Sequence, residues 1–413
     1  MKEVLKKIKP GKEEVKRFKL VTSDFMKKLN SKLKDAVAIL GGSGAKDTWL
    51  SGTHDVDIFV AYDFQKFFQK SSQLSELLQS SLKKAFPKSS INRMHGSRDY
   101  FQIRYENLAF EIVPILKIKK AEEAVNITDV SPLHSLWVNK NAKNIKDEIR
   151  LAKQFCRANR IYGAESHIQG FSGYVLEILT AYYGSFVNLL KASQKWGVKE
   201  VIDPSKFYKK DMALFHINNS KLLSPLIIVD PVDKTRNAAA ALSNEKFLLF
   251  KKRAKQYLQK PNQIFFEKKE VTFEELKKEK KNVVYITAAP LDGKIDVVGA
   301  KLLKTFNYLE SELKKFGLKK SGWEWEEGRE AVFYFVLERK ELPKFEVRSG
   351  PPVKLKEFAA DFREKNQEVY VEKERLMAKI KVQFPELKDF VDNLLKEVYV
   401  KERIKKINSL KLS

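Results

Sequence analysis

Two short apolar runs, residues 36–40 and 56–60, are separated by a glycine-rich turn, Gly41-Gly42-Ser43-Gly44, and aspartates at 55 and 57 mark the start of the second run. An apolar run closed by glycines reads as a strand ending in a turn, here a flexible loop. Residues two apart on a strand share a face, so Asp55 and Asp57 point the same way. Two adjacent carboxylates repel, which costs free energy unless positive charge lies between them. A divalent cation is the natural partner, and two such ions about 4 Å apart could activate an attacking hydroxyl and stabilise a leaving oxygen. The Gly42-Ser43 turn can bring backbone N–H groups and a hydroxyl close to a phosphate. A lone Asp-x-Asp also occurs on ordinary edge strands. A glycine-serine turn ending its own strand just upstream makes the pair far more specific.

Around this segment the pattern alternates between strand and helix. Residues 12–33 read as a lysine-rich helix with Val15, Phe18, Phe25, Leu29 and Leu33 near one face. Residues 100–105 and 109–113 read as a hairpin, with Pro114 at a strand end or edge. Residues 1–136 are therefore expected to form an α/β domain with a mixed sheet. The next stretch, 137–259, reads as helical: one helix over 144–159, a second over 173–192 with Ser172 as N-cap, a third over 236–259. The remainder, 260–413, begins strand, helix, strand, strand, with Gly317 stopping the helix, and is read as helical and charged after Gly350-Pro351-Pro352. The fold class expected is multidomain α+β.

Composition narrows the partners. At 413 residues, with 43% hydrophobic and 32% charged residues, the chain is not disordered as a whole. Lys and Arg number 79 against 53 Asp and Glu, a net +26 spread along the whole sequence. Such a chain attracts polyanions, or carries a general lysine bias. No run of about eighteen uncharged apolar residues occurs, and no apolar run follows the N-terminal lysines, so neither a membrane span nor a secretory signal is expected. The single cysteine, Cys156, falls on an apolar helix face, excludes an intrachain disulfide, and fits a reducing, cytoplasmic setting. His54, His95, His167 and His216 have no metal-ligand spacing, and zinc is not expected. Trp49 and Phe59 read as packing residues.

Taken together, G-S-x-A-x-x-T-W-L-x-G-x-x-D-V-D-I-F at residues 42–59 resembles the signature of polymerase-β-type nucleotidyltransferases, and more narrowly the archaeal (class I) CCA-adding enzymes, which are tRNA nucleotidyltransferases. Ser131-Pro132-Leu133-His134, the segment 147–153, Ile161-Tyr162-Gly163, Gly170-Phe171-Ser172-Gly173-Tyr174, Tyr183-Gly184-Ser185-Phe186 and the segment 230–238 follow in that family's order. The resemblance covers residues 40–245; beyond that it is carried only by element order and Gly350-Pro351. It implies a head domain (1–136), a helical neck (137–259) and a tRNA-binding body and tail (260–413). It implies two Mg²⁺ ions on Asp55, Asp57 and Glu111, the last in the context Glu111-Ile112-Val113-Pro114. It also implies nucleotide contacts from Gly42, Ser43, Lys46, His134, Lys153 and Tyr162, with Arg236 beside the incoming base. This chain departs from the family at Lys46, where Arg is usual, and at Glu111, where Asp is usual. Lys keeps the charge but not the bidentate fork.

The implied activity is template-independent transfer of C, C and A from CTP and ATP to the 3′ end of tRNA, with release of pyrophosphate. Two alternatives stand beside it: a poly(A) polymerase or oligoadenylate-synthetase-like enzyme, which the segment 230–238 fits poorly, and a catalytically decayed RNA-binding protein, which the three retained acids argue against. The implied partners are tRNA, CTP and ATP; homodimerisation is left open, and no membrane partner is expected.

Overall fold

The computed structural model describes residues 1–413 apart from His54, Lys210, Asp211 and Lys280, so the reading of His54 lies outside the described residues. The chain divides into two compact units, Met1–Lys269 and Glu270–Ser413.

The first unit opens with helices α1 (Lys2–Ile8) and α2 (Lys12–Asn30), then β1 (Ala36–Leu40), a short helix α3 (Gly42–Lys46) and β2 (Asp55–Tyr62). Helices α4 (Phe64–Phe67) and α5 (Leu74–Ala85) lead to β3 (Ile91–Met94), β4 (Tyr100–Tyr105) and β5 (Leu108–Leu116). The five strands form a mixed sheet in the order β1-β2-β5-β4-β3, with only β2 and β5 parallel. Period-two alternation sorts its faces. Val56, Ile58 and Val60 meet Phe110 and Ile112 on one side, under Val21, Phe25 and Leu29 of α2 and Leu74, Leu78 and Leu82 of α5. The opposite face carries the acids at one end and a small apolar cluster of Phe59, Ala61 and Ile115 beyond them. Pro114 lies two residues short of the end of β5, past the last residue paired with β4, where a missing N–H breaks no ladder bond on that side.

Next come α6 (Ser131–Asn141), α7 (Lys146–Ala158), α8 (Gly173–Tyr183) and α9 (Phe186–Ser193), followed by β6 (Glu200–Ile202), α10 (Ala213–His216), β7 (Leu226–Asp230), β8 (Asp233–Asn237) and α11 (Asn244–Gln259). Ser172 caps α8 as expected, accepting from Val175 N at 3.1 Å. Cys156 is fully buried in the core that packs α7, α8, α9 and α11 together. Two expectations need correcting. The single helix over 173–192 is broken at Gly184, whose φ of +79° ends α8, and Ser185 caps a new helix. The helix expected from residue 236 starts only at Asn244, because 233–237 is the outer strand of a three-stranded sheet, β6-β7-β8.

In the second unit α12 (Phe273–Lys277), β9 (Asn282–Ala289), α13 (Ile295–Leu313), β10 (Leu318–Glu324) and β11 (Ala331–Leu337) follow the expected order, and Gly317 stops the helical run with φ +76°. The region after 352 is not simply helical. β12 (Phe345–Pro352), α14 (Lys356–Lys365), β13 (Glu368–Glu372) and β14 (Arg375–Lys381) form a second small sheet with its helix. After α15 (Leu387–Leu394) and α16 (Val398–Lys401), β15 (Lys406–Leu412) returns to pair with β9. No described helix is long and apolar enough to cross a membrane.

Candidate functional site

The three predicted acids come from two hydrogen-bonded strands. In the parallel pairing of β2 with β5, Asp57 lies opposite Glu111, and Asp55 is two residues earlier on the same face. Gly42 presses against them. Its φ is +53°, and a Cβ there would fall 1.6 Å from Asp57 Oδ2. Any side chain would therefore strain the backbone and collide with the carboxylate. The neighbouring Gly41 N–H donates to the Asp57 carbonyl at 2.7 Å. The glycine-serine stretch is thus not a flexible loop: Gly42 and Ser43 open the short helix α3, bonded directly to β2.

Asp57 is pushed up to about 6, first by burial, then by the charges of Glu111 and Asp55, with Lys46 and Lys153 pulling the other way. The raised value measures how poorly the negative charge is compensated here. Three hard oxygen donors on neighbouring strand positions, one held reluctantly ionised, fit a divalent cation. Among the described residues no three His, Cys, Asp or Glu side chains are drawn into a ligand set. Gln102 Nε2 donates to Glu111 Oε1 at 2.8 Å.

The predicted phosphate contacts converge on a residue that sequence reading missed. Glu177 of α8 is fully buried, and it accepts from Lys46 Nζ at 2.6 Å, Lys153 Nζ at 2.7 Å and Thr48 Oγ1 at 2.6 Å. Burial pushes its pKa up, but Lys153 and Lys46 outweigh that and hold it at about 2. Two lysines against one carboxylate leave one positive charge in excess. Tyr162 joins this group. A Cβ on Gly173 would lie 2.9 Å from the Tyr162 hydroxyl and 3.6 Å from Lys153 Cε, so glycine lets both side chains close on α8. The Arg157 guanidinium covers the Tyr162 ring at 4.9 Å. Arg150, also missed, is buried and donates to the carbonyls of Trp49 (3.0 Å) and Asp47 (2.7 Å). It fixes the chain between α3 and β2, where Trp49 stacks on Phe18.

His134 and Arg236 meet on a second missed carboxylate. Asp230, fully buried at the end of β7, accepts from Arg236 Nη1 at 2.5 Å, and His134 Nε2 lies 3.2 Å from the same oxygen, out of line for a good hydrogen bond. Its other oxygen accepts from the Tyr174 hydroxyl and from Val232 N, both at 3.1 Å. The His134 ring stacks on Tyr174 with centroids 4.1 Å apart. Lys46 Nζ stands 5.7 Å from the Tyr174 ring centre, which links the two clusters. Glu177 and Asp230 each left a trace in the sequence, a lone carboxylate within or ending a strongly apolar run. Burial of that kind is costly without a cationic partner.

Three family models match the chain in succession: a nucleotidyltransferase domain over residues 22–151, the second domain of tRNA nucleotidyltransferase over 147–267, and the C-terminal domain of CCA-adding enzymes over 295–407. Among curated proteins, the CCA-adding enzyme of Nanoarchaeum equitans is 39% identical over 281 residues, 68% of each chain. That of Pyrococcus abyssi is 31% identical over 394 residues, covering 91% of this chain and 85% of the relative. That of Saccharolobus shibatae is 32% identical over 385 residues, covering 92% and 87%. Among solved structures, a cytoplasmic RNA terminal U-transferase matches 65% of this chain and 98% of its own, with TM-score 0.50 and 13% identity, a likeness of fold alone.

Proposed function

The chain belongs to the CCA-adding enzyme family, and on that premise we propose that it extends tRNA 3′ ends by C, C and A through the residues just described. The observation that carries the site assignment is the Asp57–Glu111 register beneath Gly42, which sets the Gly42-Ser43 turn directly against a pair of neighbouring acids.

The 3′ hydroxyl of the RNA attacks the α-phosphorus of the incoming nucleotide. A new O–P bond forms, the α–β bridge breaks, and pyrophosphate leaves. The family uses divalent metal. Asp55, Asp57 and Glu111 would hold two Mg²⁺ ions, which when bound acidify the attacking hydroxyl and offset triphosphate charge. The remaining work is positioning. The Gly42-Ser43 turn offers N–H groups and a hydroxyl to the phosphates. Lys46 and Lys153, braced on Glu177, supply the excess positive charge, and Tyr162 borders the sugar and phosphates. Arg236 presents a fork of donors to the base. Cytosine offers acceptors at O2 and N3 and adenine at N1, whereas uracil N3 and guanine N1 carry hydrogens and meet a donor with a donor. The +26 charge draws in tRNA. We place the reaction in the cytoplasm.

The direct test is Asp57→Ala. Incorporation of labelled CTP into tRNA lacking CCA should fall by about a thousandfold or more while tRNA binding is retained; an active variant would refute the metal assignment.

A further inference from the structure

We infer that Asp230 governs base selectivity as a positioning residue that aims Arg236 and His134. The inference rests on the reading of Arg236 as base-facing.

Asp230 ties three elements together: α6 through His134, α8 through Tyr174, and the β7–β8 hairpin through Val232 and Arg236. A carboxylate needed only to shape that hairpin would require the Val232 contact alone. Here one oxygen accepts from Tyr174 and Val232 and the other from Arg236, with the His134 ring beside it, and the groups around them differ in exposure. Asp230 is sealed, whereas the Arg236 side chain is 33% exposed. The guanidinium is therefore anchored through one nitrogen on a sealed carboxylate while its side chain stays partly exposed. Tyr174 completes the clamp by donating to one Asp230 oxygen and stacking on His134.

Selectivity depends on that clamp more than catalysis does. An arginine fixed in place meets N3–H of uracil or N1–H of guanine as an unrelieved donor–donor clash. A free arginine can swing aside and tolerate either base. Arginine has many rotamers, and holding one costs entropy that a buried, charge-assisted hydrogen bond offsets. Freed from Asp230, the side chain still carries its charge but no longer enforces a direction.

The test uses full-length Asp230→Asn, which keeps size and removes charge. Values of kcat and KM are measured for CTP, UTP, ATP and GTP on tRNA ending before CCA and after CC. The expected result is a fall of about tenfold or more in the CTP-over-UTP preference, with a smaller change in kcat for CTP. Arg236→Lys should lower the same ratio, and the double variant should be no less selective than Arg236→Lys alone. An equal loss for all four nucleotides with the ratio intact, or two effects that simply multiply, would overturn the inference. Should Asp230→Asn not fold, Tyr174→Phe removes one hydrogen bond and no charge. It should still lower the ratio about twofold or threefold, and an unchanged ratio counts against the clamp. A wild-type protein that does not prefer C and A overturns the functional reading as well; a selective wild type with an equally selective Asp230→Asn variant overturns only this inference.

Discussion

Tyr174 and Glu177 stand three residues apart on α8, and each closes a different buried cluster: Tyr174 donates to Asp230 at 3.1 Å, and Glu177 accepts from Lys46 at 2.6 Å and Lys153 at 2.7 Å. Residues at this spacing share a helix face. One turn of α8 therefore supports both the proposed phosphate contacts and the proposed base contacts, and a substitution in that turn should register in both.

Gly42→Ala should disable the site without unfolding the protein. The new methyl group would need the space of Asp57 Oδ2 in a backbone that disfavours any Cβ. We expect about a hundredfold loss of single-turnover CTP incorporation from the displaced carboxylate, and roughly 1–3 kcal/mol lost in urea unfolding. Wild-type activity would show that the turn does not adjoin the acids.

Lys153→Met should separate binding from stability. Lys46 remains to neutralise Glu177, so the excess charge is lost together with the Lys153 hydrogen bonds to Glu177 and Thr48. KM for CTP and ATP should rise by about tenfold or more, while stability falls by roughly 1–3 kcal/mol from the lost buried hydrogen bonds. Steady-state kinetics beside a urea melt decide it, and an unchanged KM removes Lys153 from the phosphate site.

Glu177→Gln should alter the pH profile of stability. The folded value of about 2 lies below the ordinary 4.5 of a free glutamate, so the carboxylate stabilises the fold above pH 4.5 and loses that contribution as pH falls from 4.5 towards 2. The shift corresponds to roughly 3 kcal/mol at neutral pH. The stability gap between wild type and variant should be widest near pH 7 and narrow below pH 4.5. A gap independent of pH would mean that the ionised form is not what holds the lysines.

Affinity for tRNA should fall steeply with salt. A surface this basic releases counterions when it meets phosphates, each contact adding about 0.7–0.9 to the slope of log affinity against log salt. A filter-binding titration with a slope near zero would exclude an electrostatic grip.

Part of the candidate site's geometry is legible in the sequence. Strand alternation puts Asp55 and Asp57 on one face, the resemblance adds Glu111, and the strand register sets Glu111 opposite Asp57; Ser172 starts α8 and Gly317 stops the helical run before β10, as their chemistry requires. Other features were hidden for physical reasons. Apolar periodicity runs on through Gly184, so nothing in the pattern marks the break except the glycine itself. Asp233–Asn237 has no apolar alternation and is a strand only because β7 supplies a partner edge. Glu368–Glu372 is exposed along most of its length and charged at both ends, so its pairing with β14 leaves no alternation to find. Glu177 and Asp230 take their meaning from lysines, an arginine and a histidine far away in the chain, which a linear pattern does not bring together.

Cys156 is sealed in the core, and burial pushes its thiol well above the usual range. The folded chain thus presents no competing thiol to a maleimide reagent. Reporter dyes could be attached through cysteines introduced on Met1–Lys269 and Glu270–Ser413 without first deleting a natural one, and the separation of the two units followed by energy transfer as each nucleotide is joined to the RNA.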